Sequence, residues 1–222
     1  MLFLGILIIL FSLIAPAMIQ FAKTPKFKGI MGEWKLSMAL RSLDNNQYQI
    51  INNVTLPTED GTTQIDHIVV SIFGIFVLET KNMQGWIFGS SSQKKWNQQI
   101  YKQSFKFQNP IHQNYKHIKT LEAILELKPN QLHSIVVFVG ECEFKTEMPE
   151  NVRLGTSSAL HFIKSKDEIV LTKLRMEVIS KRINNRRLER SFKTDREHIE
   201  NLNKRFHKDP DVVSVDELCE SN

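Results

Sequence analysis

Two apolar segments in the middle of the chain constrain its fold more than any other feature. They are QIDHIVVS at residues 64–71 and IFVLETK at residues 75–81. Their β-branched and aromatic residues predict two strands, joined by a short turn between Ser71 and Gly74. The sequence therefore predicts a hairpin at the centre of a sheet.

Each strand of this hairpin carries a carboxylate near its outer end. If Ser71 pairs with Gly74, the alternation of side chains places Asp66 directly opposite Glu79 on one face of the sheet. Lys81 lies two residues beyond Glu79 and shares that face. Two opposed carboxylates repel each other, and partial burial adds to the cost.

Two arrangements would relieve this repulsion, a bound cation or an ion pair with Lys81. Mg²⁺ takes oxygen ligands and keeps several waters, so that one or two carboxylates suffice to hold it. Such an ion beside a lysine is suited to hydrolysis of a phosphodiester. The alternative is that Asp66 and Glu79 end their strands at the solvent boundary and that Lys81 is a surface partner of one of them.

The remaining elements follow from apolar periodicity, turn residues and capping positions. Asn109 and Pro110 suit the N-cap and first turn of a helix. The order of strands and helices predicts an α/β architecture, a mixed sheet flanked by helices. The predicted elements are a helix at 32–43, a strand at 48–56, the hairpin strands, a small hairpin or aromatic-anchored strand at 85–96, a helix at 109–127, a strand at 134–139, helical structure from 157 and a charged helix at 177–208.

Histidine and tryptophan side chains outside the acidic pair are assigned packing roles. His67 points to the strand face opposite Asp66, which predicts a packed histidine. His112 and His117 are five residues apart on a predicted helix, so they are not expected to bind a metal together. All three tryptophans are predicted to anchor the core or the hairpin rather than to stack on bases: Trp34, Trp86 and Trp96.

Charge and cysteine content limit the class of partner and the compartment. The net charge of +5 favours anionic partners, either nucleic acid or lipid head groups. Cys142 and Cys219 are isolated, which excludes a zinc ribbon and is typical of a reducing compartment. Residues 181–208 are rich in Lys and Arg; they form either a solvated helix face or a contact with phosphates or a membrane surface.

The N-terminal residues 2–19 are apolar and uncharged, a length at the lower limit for spanning a bilayer. Lys23, Lys26 and Lys28 follow this stretch, and no basic residue precedes it, which predicts a retained single-pass anchor with the rest of the chain in the cytoplasm. The alternatives are a signal peptide cleaved after Ala17, which would release a secreted protein, and a peripheral or buried helix.

Several short motifs occur in an order that resembles the nuclease-related domain (NERD) family. The resemblance covers about residues 28–140, roughly half of the chain. The order of the motifs is specific, whereas each motif alone is not. The motifs are Gly32-Glu33, DGTTQIDHIVV at 60–70, GIFVLETKN at 74–82, GWIFG at 85–89, Trp96, and Asn109-Pro110 followed by Gln113.

The resemblance implies a PD-(D/E)xK restriction-endonuclease-like core and a site that uses Mg²⁺ or Mn²⁺ to hydrolyse DNA. The rival interpretation is a non-catalytic scaffold at the membrane that binds nucleic acid or a protein. The implied site consists of Asp66 and Glu79 as metal-binding acids with the Thr80 carbonyl, Lys81 as the catalytic lysine, Glu33 as an additional acid on the first helix, and Gln113 as a contact to substrate or to a metal-bound water.

These interpretations divide the chain into five segments. The predicted segments are a transmembrane anchor at 1–22, a basic juxtamembrane linker at 23–29, the nuclease-like domain at 30–145, a C-terminal helical extension at 146–210 and an acidic tail at 211–222.

Overall fold

The computed structural model describes residues 15–16, 19–22, 24–59 and 61–189 of the chain. Most of the predicted anchor lies outside these residues, as do the second half of the predicted charged helix and the whole acidic tail. Among the described residues, no helix combines the length and apolar character that crossing a bilayer requires.

The described part of the chain forms an α/β fold, as the sequence predicts. The helices are α1 (Pro25–Leu40), α2 (Pro110–Leu125), α3 (Gly155–Lys164) and α4 (Lys173–Arg186), with one short 3₁₀ turn at Pro129–Gln131. The strands are β1 (Tyr48–Thr58), β2 (Gly61–Ser71), β3 (Gly74–Lys81), β4 (Gly85–Phe88), β5 (Lys95–Ile100), β6 (Gln103–Gln108), β7 (Leu132–Phe138), β8 (Cys142–Phe144) and β9 (Val152–Leu154).

The main sheet is mixed and has the strand order β1-β2-β3-β7-β9. β1, β2 and β3 pair antiparallel, whereas β7 pairs parallel to β3 and β9 parallel to β7. The predicted hairpin register is confirmed, because Ser71 pairs with Gly74 and His67 with Leu78.

The hairpin turn has Ile72 and Phe73 at its centre, where tight turns usually contain Gly, Asn or Asp. The Ser71 hydroxyl donates to the Gly74 carbonyl over 2.8 Å and accepts from the Phe73 N–H over 3.1 Å. Gly74 has a φ of +117°, which a side chain would disfavour. One serine and one glycine therefore set the register for the whole hairpin.

Helices cover both faces of the main sheet. On one face α1 and α3 pack against alternate residues of β2 and β3; this core includes Leu36, Leu40, Val69, Phe76 and Ile163. On the other face α2 and α4 pack against the intervening residues, and that core includes Ile68, Val77, Leu121, Met176 and Ile179. The apolar hairpin is thus buried from both sides.

A second sheet, which the sequence predicts only as a small hairpin, follows directly from β3. Its strand order is β6-β5-β4-β8. Trp96 is 1% exposed and packs with Phe138 of the main sheet, which joins the two sheets, so its role as an anchor is confirmed. Trp34 and Trp86 are 56% and 45% exposed, so a core position is wrong for both. Trp86 lies in the antiparallel pair of β4 and β5, where it pairs with Gln99.

The first helix starts earlier than predicted. Thr24 is its N-cap and accepts from the Phe27 N–H over 3.3 Å, while Pro25 occupies the first turn. The predicted linker at 23–29 is consequently helical from Pro25 onward.

Residues C-terminal to the predicted nuclease-like domain also contact the main sheet. The predicted helical extension contains strand β9 as well as α3 and α4. The helix predicted at 177–208 begins at Lys173 and ends at Arg186, because Arg187 is extended and the Leu188 N–H donates to the Thr55 carbonyl at the edge of β1.

Candidate active site

The predicted acids meet where β2 and β3 separate. The ladder between these strands runs from the turn to the pair His67 and Leu78. At the next position the Thr80 N–H donates to Asp66 Oδ2 over 2.8 Å. A side-chain carboxylate thus accepts a bond from β3 at the point where the ladder of backbone hydrogen bonds ends, and it is fixed beside Glu79.

Glu79 is the most buried acid of the site, at 2% exposure. Its Oε1 accepts from Lys81 Nζ over 2.8 Å, and its Oε2 lies 3.3 Å from His117 Nε2. Burial raises the pKa of Glu79, but Lys81 and His117 outweigh that effect and lower it below its usual value. The carboxylate is therefore held in its charged form.

Lys81 connects the hairpin to α2. Its Nζ donates to Glu79 and, over 3.1 Å, to Gln113 Oε1. Burial lowers the pKa of Lys81, but Glu79, Asp66 and Glu33 together raise it above its usual value. Lys81 is consequently an ammonium ion and a hydrogen-bond donor, not a proton acceptor.

Glu33 approaches the same cluster from α1, on the opposite side of the sheet from α2. Burial raises the pKa of Asp66 well above its usual value, and the charges of Glu79 and then Glu33 raise it further. Since Glu33 also acts on the pKa of Lys81, it belongs to the same electrostatic unit. Hydrogen bonds thus join Lys81 to Glu79 and Gln113, and the Thr80 N–H binds Asp66. Glu33 acts on this cluster through its charge.

His117 is a member of the site that sequence reasoning missed. It is 3% exposed, and its Nδ1 lies 2.8 Å from Thr63 Oγ1 while its Nε2 faces Glu79. The Thr63 hydroxyl can donate to Nδ1 while Nε2 donates to the carboxylate. The spacing of four residues between Gln113 and His117 was the available signal, because it places both on one face of α2.

Asn114 fixes α2 over the parallel strands. It is fully buried, and its Nδ2 donates to the Val77 carbonyl and to Ser134 Oγ, each over 2.9 Å. These bonds join α2 to both β3 and β7. They fix the position of α2 and therefore keep Gln113 and His117 beside Lys81 and Glu79.

His67 and His112 have hydrogen-bond partners outside the acid pair. His67 is 1% exposed on the opposite face, where Nδ1 lies 2.9 Å from Asn52 Oδ1, so the predicted packing role is confirmed. His112 Nε2 lies 2.9 Å from the Ser91 carbonyl oxygen.

The donor atoms suit a hard divalent cation. In the described part of the chain, no three His, Cys, Asp or Glu side chains are arranged to hold a metal ion together. Asp66 and Glu79 supply carboxylate oxygens. Burial and then the charge of Glu79 raise the pKa of Asp66, and a bound cation would offset both effects. Mg²⁺ and Mn²⁺ fit such a set, because one or two carboxylates with waters and substrate phosphate complete their coordination.

Comparison with known proteins places this site inside a described family. The family model for the nuclease-related domain matches residues 28–139, half of the chain. An uncharacterized protein of Bacillus anthracis is 47% identical over 122 residues, which are 54% of this chain and 57% of that protein. The chain thus spans little more than half the length of this relative. No solved structure matches the chain.

Proposed function

The chain belongs to the nuclease-related domain family, and from this premise we propose that it is a metal-dependent nuclease that hydrolyses phosphodiester bonds of DNA. One observation carries the proposal: Asp66, Glu79 and Lys81 converge at the point where β2 and β3 separate. Paired acids and an adjacent ammonium ion are the groups that this hydrolysis needs.

Asp66 and Glu79, with the Thr80 carbonyl, would hold Mg²⁺ or Mn²⁺. When bound, the ion would supply a nucleophilic water at neutral pH and would neutralise charge on a phosphoryl oxygen. Asp66 is positioned for this role by the Thr80 N–H, which occupies only one of its two carboxylate oxygens.

Lys81 would stabilise charge rather than move a proton. As an ammonium ion it donates to Glu79 and Gln113, and it would donate to a phosphate oxygen or to the attacking water in the same way. Gln113 Oε1 orients the ammonium group from α2. Positively charged donors that are already in place need no reorganisation when negative charge develops on the phosphate.

His117 and Glu33 would tune the acids. His117 holds Glu79 Oε2 and keeps the carboxylate oriented, in the manner of groups that support metal ligands in other sites. Glu33 adds a third negative charge beside Asp66 and so increases the attraction of the cluster for a cation.

We further propose that the domain is held at a membrane and faces the cytoplasm. The support is the apolar, uncharged sequence of residues 2–19, followed by Lys23, Lys26 and Lys28. Cleavage of the chain after Ala17 would contradict this proposal, and mass measurement of the mature protein would detect it.

The function can be tested by incubating the full chain with linear and circular DNA in Mg²⁺ or Mn²⁺. We expect cleavage by the wild type and a loss of at least about a hundredfold in Glu79→Gln and Lys81→Met, since each removes a group that acts on developing charge. Lys119→Met on α2 and Glu126→Gln directly after its last residue are matched controls, because both side chains form surface ion pairs instead.

Unchanged cleavage in Glu79→Gln and Lys81→Met would refute the assignment of the site. Salt-dependent DNA binding by a wild type that binds no divalent ion would identify a nucleic-acid-binding module instead of a nuclease.

A further inference from the structure

Helix α1 has apolar residues on two opposite sides. Its inner side contributes Leu36 and Leu40 to the core, and both are fully buried. Its outer side carries Ile30, Trp34 and Met38, which are 50%, 56% and 44% exposed. These three residues follow one another at intervals of four, so they form one continuous stripe along the helix.

A stripe of this kind is unusual on the outside of a soluble domain. A helix that covers a core normally turns charged or polar residues outward. Adjacent exposed large apolar residues mark a surface that binds a partner or a membrane. We refer to Ile30, Trp34 and Met38 as the outer stripe.

The exposed charged residues of α1 are all basic. Lys26, Lys28 and Lys35 of α1 are exposed. The one acid in α1, Glu33, is partly buried and acts on the site acids. A bilayer that contains anionic lipids has an apolar interior beneath negatively charged head groups. An apolar stripe with nearby lysines is complementary to such a surface.

The same charges make it unfavourable for a second copy of this chain, or for another segment of it, to cover the outer stripe. A second copy would bring its own lysines against these lysines. The amphipathic sequence at 190–208 has six Lys or Arg and three Asp or Glu, so it is also basic. By contrast, the uncharged apolar residues 2–19 end just before α1 and would bring the helix to a membrane surface.

We propose that α1 lies in the plane of an anionic membrane, with the outer stripe inserted at the boundary between head groups and acyl chains. Trp34 sits at the centre of the stripe, as tryptophan does at membrane interfaces. The helix is then a rigid layer between the lipid and the sheet. Because Glu33 is next to Trp34 in α1, this contact also fixes the orientation of the candidate active site relative to the membrane.

The proposal can be tested with the full chain in vesicles of phosphatidylcholine and phosphatidylglycerol whose acyl chains are brominated, since bromine quenches tryptophan on contact. We expect lipids brominated near the head group to quench the wild type more than lipids brominated near the chain end. Trp34→Phe should lose most of this quenching, whereas Trp86→Phe should retain it. Replacing Lys26, Lys28 and Lys35 by Gln should reduce the difference between anionic and purely neutral vesicles.

Several results would overturn the proposal. One is equal quenching of the wild type and Trp34→Phe; another is stronger quenching by deep bromine. Protection of Trp34 from aqueous iodide without quenching by bromolipid would show that a protein segment or a second copy covers the stripe. Flotation of the same vesicles reports separately whether the chain binds membranes at all, and none of these measurements depends on nuclease activity.

Discussion

The backbone N–H of Thr80 donates to Asp66 Oδ2 over 2.8 Å and so joins the two hairpin strands just beyond the last ladder pair. A carboxylate therefore replaces a backbone acceptor at the site where the strands separate. This bond needs only an acceptor oxygen, not a negative charge. The charge of Asp66 is unfavourable for the fold because the carboxylate is buried and because the charges of Glu79 and Glu33 act on it.

We predict that Asp66→Asn keeps the fold and raises its stability. The amide oxygen can still accept from Thr80, while the repulsion within the acid cluster is reduced. Relief of a destabilised functional residue typically raises the free energy of unfolding by about 0.5–2 kcal/mol. Urea denaturation at neutral pH measures this change, and Asp44→Asn in a surface turn is the control. A loss of stability in Asp66→Asn would contradict the account.

We predict that His117→Ala weakens both the fold and the site. The substitution leaves the buried Thr63 hydroxyl and Glu79 Oε2 without their partner, at a cost of about 1–3 kcal/mol in the free energy of unfolding. The affinity for Mn²⁺ should fall roughly 10–100-fold, as for other residues that support metal ligands. Denaturation and Mn²⁺ titration give the two values; His161→Ala on the exposed side of α3 should change neither.

Gly89→Ala should destabilise the protein by about 1–3 kcal/mol, because overpacking of a filled core has this cost. A methyl group at this position would overlap the ring of Trp96. Trp96 is held by Phe138 and Phe144 and by its own bond to the Ser90 carbonyl, so it has little room to shift. Gly29→Ala in α1, where nothing lies within 4 Å, is the matched control and should be neutral or stabilising.

Acid should destabilise the fold partly through His67. Burial lowers the pKa of His67 to about 4, so the unfolded chain binds a proton more readily than the folded one. The free energy of unfolding therefore keeps its full value above about pH 6.5, the pKa of an unfolded histidine. It falls by roughly 3 kcal/mol as the pH drops from there to about 4, the folded pKa of His67. Urea unfolding between these pH values should show a shallower decline in His67→Gln than in the wild type. An identical decline would rule out this role.

The hairpin and its acids could be predicted because local rules determine them. Alternation along two apolar strands and the pairing of Ser71 with Gly74 suffice to place Asp66 near Glu79. The stabilising bonds of the Ser71 hydroxyl explain why an Ile-Phe turn sequence did not disturb this register.

The features that sequence reasoning missed depend on contacts between distant segments. His117 joins the site only because Asn114 fixes α2 over β3 and β7. β6 has only two apolar residues among its six, and β9 is only three residues long. Neither sequence has enough alternation of apolar and polar residues to predict a strand. The spacing of Trp34 predicts a core position, but α1 is apolar on two sides, and spacing alone does not show which side faces the sheet.

Anomalous diffraction from crystals of the full chain soaked in Mn²⁺ tests the central claim most directly. We predict one manganese peak shared by carboxylate oxygens of Asp66 and Glu79, and its loss in Glu79→Gln crystals soaked in the same way. The proposal of a metal-dependent nuclease would be contradicted if manganese bound elsewhere and not at these acids. It would also be contradicted if, at saturating Mn²⁺, Glu79 were still paired with Lys81 and bound no metal.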